Sequence, residues 1–127
     1  SGVASFCSGQ PNAKEETACY QSISSIVGRM TLGDPEKAVS VCGKFPDDRQ
    51  DICYGASAQT VLEEGRSDSE KAVALCGLAP GDHASACMHT LIDHATSIFG
   101  ENIAEYNRFC AALPKAFYEQ CASAGHP

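Results

Sequence analysis

A chain of 127 residues with 43% apolar content is the size of one domain with one ordinary core. Its formal charge of −7, with nine Lys and Arg scattered along it, excludes nucleic acid as an expected partner, because phosphate binding draws on clustered cations. No apolar run approaches the roughly 20 residues that span a bilayer, and the N-terminus lacks the basic-then-apolar order of a signal peptide, so no transmembrane segment is expected.

The eight cysteines fall into four copies of one unit: Cys7/Pro11/Cys19, Cys42/Pro46/Cys53, Cys76/Pro80/Cys87 and Cys110/Pro114/Cys121. From the second copy on, the period is 34 residues, the signature of stacked supersecondary units, and it divides a single domain at about 1–33, 34–67, 68–100 and 101–127. The stretch from Asp34 to Gly43 also matches the stretch from Asp68 to Gly77 beyond the cysteines. An even cysteine count at regular spacing in a small acidic chain reads as disulfides from an oxidising compartment, extracellular or periplasmic. The alternatives are zinc thiolates, for which ten intervening residues give no tight turn, and free cytosolic thiols.

Each unit reads as a short helix followed by a longer one, the two forming a hairpin. In the first unit the long helix carries Cys19, Ile23, Ile26, Val27 and Met30 at three- and four-residue steps, the spacing of one buried face. In the second, Asp34 is an N-cap candidate with Pro35 in the first turn and Glu36 against the dipole. Gly43 closes that short helix, and Pro46 with Asp47 and Asp48 opens a long one that relies on Ile52, Cys53, Ala56, Val61 and Leu62. The third unit repeats this with Asp68, Glu70, Gly77, Pro80 and Asp82. Its long helix, about Gly81 to Phe99, has the clearest amphipathic face: Ala84, Cys87, Met88, Leu91, Ile92, Ala95, Ile98 and Phe99. The residue before the first cysteine of each unit is apolar throughout, as Phe6, Val41, Leu75 and Phe109, and is expected to be buried between hairpins. Sustained two-residue alternation is missing, so the fold class expected is all-α, a right-handed solenoid-like stack of four hairpins.

The disulfide register follows from the hairpin. Cys42 lies in the last turn of a short helix and Cys53 about two turns into the next, so antiparallel packing brings them level. Pairing within units gives Cys7–Cys19, Cys42–Cys53, Cys76–Cys87 and Cys110–Cys121 and leaves none over. Pairing across units, Cys19–Cys42, Cys53–Cys76 and Cys87–Cys110, strands Cys7 and Cys121. Each closed loop removes roughly 2.8 kcal/mol of unfolded-state entropy, an upper bound.

The run from Asp47 to Pro80, with small residues Gly55, Ala56 and Ala58 and then GRSDSEKAVALCGLAP, resembles a tetratricopeptide repeat. The stapled hairpins also look like the cysteine-rich relatives of Sel-like repeats. Ile52 and Cys53 stand where the tetratricopeptide pattern has a large aromatic residue. The resemblance implies an α/α solenoid that binds peptides or proteins along its concave face, and it implies no catalytic residue.

Candidate chemistry is sparse. His89 and Asp93, four apart beside His83, His94 and Asp82, present half of a metal site on one helix face, and two ligands do not make a site. Ser85 and Ser97 lie near histidines without a nucleophile-elbow pattern. Asp47, Asp48 and Asp51, and Glu63 with Glu64, form acidic patches that suit helix N-termini and solvent, or else calcium or a basic partner. Tyr20 and Tyr54 follow the second cysteine in the first two units and serve either hairpin packing or, if exposed, partner contact. The expectation is a non-catalytic protein or peptide interaction module with no cofactor and no resident metal. The rivals are a carrier of a small apolar ligand lined by Ile23, Val27, Leu91 and Ile98, and a metal or catalytic domain centred on His89 and Asp93.

Overall fold

The computed structural model describes residues 7, 9, 11–32, 34–65 and 69–125. Seven α-helices are found among them: α1 (Ala13–Met30), α2 (Pro35–Cys42), α3 (Gln50–Glu64), α4 (Glu70–Leu78), α5 (Asp82–Phe99), α6 (Ile103–Ala112) and α7 (Lys115–Gly125). A 3₁₀ turn, Asp47–Arg49, leads into α3, and the described residues contain no strand. Phe6 and the N-cap candidate Asp68 lie outside the described residues.

The fold is all-α, with the helices in two layers. The long helices α1, α3 and α5 pack in chain order and α7 joins α5, while α2, α4 and α6 pack beside one another in the second layer. Four disulfides tie the hairpins: Cys7–Cys19, Cys42–Cys53, Cys76–Cys87 and Cys110–Cys121, with Cα–Cα distances of 5.6, 5.4, 5.2 and 5.6 Å. All lie within the ordinary span of such a bridge. No described cysteine is free, so these sulfurs serve the scaffold and leave no thiolate for catalysis or metal ligation.

Local chemistry sets the helix ends. The Lys37 amide donates to Asp34 Oδ1 at 3.1 Å, and Pro35 occupies the first turn, where its missing N–H costs nothing. Asn12 and Asn102 cap α1 and α6 in the same way, accepting from the Glu15 and Glu105 amides at 2.9 and 3.1 Å. Gly43 and Gly77 do not take the left-handed conformation: Gly43 has φ −63°, and Gly77 lies inside α4, which runs on to Leu78. The described glycines with positive φ are instead Gly81 and Gly100, which bracket α5 at 55° and 56°.

The core is continuous along the stack. Its largest fully buried side chains are Tyr20, Tyr54, Phe109, Leu62, Leu75 and Leu91. Leu75 and Phe109 are buried as their column predicts, whereas Val41 is only half-buried. The apolar face expected of α5 is inside: Cys87, Met88, Leu91, Ile92, Ala95, Ile98 and Phe99 are all buried. That of α1 is not, because Ile26 is 51% and Met30 78% exposed. They lie on the side of α1 turned away from α3, where the long-helix layer has no further described helix.

Candidate functional site

The junctions between units use one contact twice and a related one a third time. In two junctions the residue four before the second cysteine of one unit lies over the residue that follows the second cysteine of the unit before. Arg49 lies over the Tyr20 ring, 5.5 Å from its centroid, and His83 lies over Tyr54 at 5.4 Å. The same side chains reach carboxylates: Arg49 Nη2 donates to Glu16 Oε1 at 2.8 Å, and His83 Nδ1 meets Asp51. Phe117 holds this position in α7 and takes the edge of the His89 ring at 5.4 Å. Sequence reasoning missed this set because a cation, an imidazole and a benzyl ring share no residue type. Alignment on the cysteines would have found it.

Tyr20 and Tyr54 are therefore structural, each 1% exposed, and neither presents a ring face to a partner. Burial pushes both phenols above the usual value of 10.0; Glu16 adds to this for Tyr20, against the opposing pull of Arg49, and Asp51 adds for Tyr54. Tyr106, likewise raised by burial, donates to the Cys121 carbonyl at 2.6 Å and braces the last hairpin. His89 is exposed on α5 and engaged, its Nδ1 3.3 Å from Gln120 Nε2. Asp93 is exposed one turn further on. The described residues contain no group of three His, Cys, Asp or Glu side chains able to hold a metal ion. Of the expected carrier lining, Val27, Leu91 and Ile98 are packed in the core and Ile23 is half-buried.

Two adjoining hollows lie on the exposed side of the long-helix layer. One hollow of about 310 Å³ is lined by Gln21 of α1, Asp51, Gly55, Ala56 and Gln59 of α3, and Thr90 and His94 of α5. A second of about 400 Å³ adjoins it, sharing Gln59 and His94 and adding Glu63, Glu64, Ser97 and Ile98. Together they form a groove along the α3–α5 seam. Gly55 shapes its floor: a Cβ there would lie 3.0 Å from Thr90 Oγ1, so the glycine lets the two helices close beneath the groove. The walls are amides, hydroxyls and carboxylates, with Ile52 and Ile98 supplying apolar surface. Gln59 Nε2 donates to Glu63 Oε1 at 3.0 Å, and Glu64 faces Arg29 at 3.7 Å.

No described helix is long and apolar enough to cross a membrane. In comparisons with protein-family models, curated proteins and solved structures, nothing matches this chain.

Proposed function

We propose that the chain is a non-catalytic interaction module of an exported, extracellular or periplasmic, helical-repeat protein, binding an extended peptide or a protein segment along the α3–α5 groove. The observation that carries this is the groove itself, two hollows joined through Gln59 and His94. From Asp51 to Glu63 the α3 edge is about 18 Å long at 1.5 Å per residue. That length suits roughly five residues of extended chain. Asp51, Glu63 and Glu64 along the rim favour a segment that carries Lys or Arg. The four intrachain disulfides point to an oxidising compartment. The 34-residue period and two-layer stacking support kinship with tetratricopeptide and Sel-like repeats.

The test is selection of peptides from a display library on the disulfide-intact protein, followed by binding to a Gln59→Arg/His94→Arg variant. Expected are basic peptides that lose at least tenfold in affinity on this variant and keep it on Ile103→Ser, a change at an exposed site outside the groove. Peptides indifferent to the double change would overturn the assignment of the groove, and a selection without binders would overturn the reading as a peptide module.

A further inference from the structure

The carboxylates that line the groove are interleaved with imidazoles. Asp51, in the smaller hollow, is met by Nδ1 of His83, whose ring lies against Tyr54. At the first junction the same register position is Arg49, and its carboxylate partner Glu16 lines neither hollow. Arginine is a permanent cation. Its place is thus taken by a titratable group at a junction whose carboxylate opens into the groove. A second imidazole stands in the groove itself: His94 is exposed on α5 and lines both hollows, sharing one with Asp51 and the other with Glu63 and Glu64. The remaining charged groups about these rings are Asp82 and Asp93, their sequence neighbours on α5, and Arg29 of α1, which reaches Glu64 at 3.7 Å. Among the described residues, no charged side chain of α2, α4, α6 or α7 lines either hollow.

We propose that the groove holds a Lys- or Arg-bearing segment at neutral pH and releases it on mild acidification, with His83 and His94 taking up the protons. This rests on the groove being the peptide site. A protonated His83 offsets the charge of the Asp51 carboxylate it touches. A protonated His94 adds a cation between Asp51 and the Glu63–Glu64 pair, where it repels the incoming Lys or Arg. The sign follows by linkage. A bound cation disfavours the protonated form of both rings, so binding expels protons and affinity rises with pH. Titration of the carboxylates would act in the same direction, but carboxylates ionise near pH 4, whereas imidazole is the side chain that changes charge between about pH 5 and 8. Lys and Arg of the ligand stay charged throughout that window. The two histidines act by different routes: His94 meets the ligand, and His83 works only through Asp51.

The experiment uses the intact, oxidised protein and histidine-free basic peptides selected on it at about pH 7.5, above the imidazole range. Expected is a Kd about five- to tenfold higher at about pH 5.5 than at 7.5, the sum of two rim-charge effects. Calorimetry near pH 6.5 in two buffers of different ionisation heat should count a net release of protons, at most about two per peptide. His83→Gln and His94→Gln should each reduce the pH dependence and together abolish it, while His89→Gln, at an exposed site that lines neither hollow, should leave it intact. In an Asp51→Asn background His83→Gln should no longer alter the pH dependence, a result that a merely structural His83 would not give. Circular dichroism at both pH values controls for folding. Peptides that bind equally well at both pH values, or a pH dependence that survives the double histidine change, overturn this proposal and leave the groove reading standing. The proton count needs no variant, and a count of zero overturns the proposal by itself. Peptides indifferent to Gln59→Arg/His94→Arg, or a selection without binders, overturn both.

Discussion

Gly28 sets the spacing of the first junction, and replacing it by alanine is the sharpest test of the packing. A Cβ at Gly28 would lie 2.7 Å from the Ser57 carbonyl oxygen, 2.9 Å from Thr60 Cβ and 3.0 Å from Ser57 Cα. Two of these are backbone atoms, so relief requires α1 and α3 to separate along a seam that also holds the Ser57–Ser24 hydrogen bond. Overpacking of this kind costs about 1–3 kcal/mol, and the unyielding backbone puts this case at the upper end. Alanine in a helix returns up to about 1 kcal/mol. The net expectation for Gly28→Ala is a loss of about 1–2 kcal/mol. At about 2 cal/mol/K of unfolding entropy per residue, that is a melting temperature lower by roughly 4–8 °C. Gly77 is the counter-case. It is exposed near the end of α4 with nothing within 4 Å of its virtual Cβ, so Gly77→Ala should gain about 0.5–1 kcal/mol. Gly55 lies between, because its nearest neighbour is the movable Thr90 side chain. Calorimetry of the three oxidised variants should rank them Gly77→Ala, Gly55→Ala, Gly28→Ala from most to least stable. A Gly28→Ala protein at least as stable as the parent would refute the reasoning about the seam.

Other expectations follow from the staples, the junctions and the buried phenols. Replacing Cys76 and Cys87 together by alanine removes a bridge across 11 residues and should cost about 2.8 kcal/mol in urea unfolding. In a double-mutant cycle, Arg49→Met and Glu16→Gln should show a coupling of about 1 kcal/mol, since the pair is partly buried at 2.8 Å. A coupling near zero would reduce Arg49 to a packing group. Absorbance at 295 nm on raising pH should show Tyr20, Tyr54 and Tyr106 ionising above the usual value of 10.0. Because burial raises the folded-state value of each, the stability they confer is complete below about pH 10 and is lost as pH rises through the folded values. These phenols should therefore leave the unfolding free energy unchanged up to about pH 10 and lower it beyond.

Much of the scaffold was legible because covalent spacing is local information. Cysteines eleven apart around a proline specify a hairpin, and the apolar steps from Cys87 to Phe99 mark a buried face. The same periodicity misled in α1. It identifies an apolar stripe but not what lies opposite, so Ile26 and Met30 read as core and are surface. The groove was less legible still. Gln59 belongs to one unit and Thr90 and His94 to the next, and they carry no motif; only the approach of α3 to α5 at Gly55 brings them together. Tyr20 and Tyr54 drew attention as aromatics, yet both are buried with Arg49 and His83 of the next unit against their rings, a pairing visible only in register.

Each bridge joins cysteines that are neighbours in the sequence, and none crosses from one unit to the next. Of the 105 ways to pair eight cysteines, this one joins them in chain order, so each thiol can meet its partner before the following pair appears. Oxidation can therefore proceed hairpin by hairpin and demands little reshuffling of mispaired bridges. The same arrangement fixes where the folded chain yields. Pulled from its ends, it should part at the non-covalent seams between hairpins while each bridge holds, and the 11 or 12 residues that each bridge closes off add nothing to the extension.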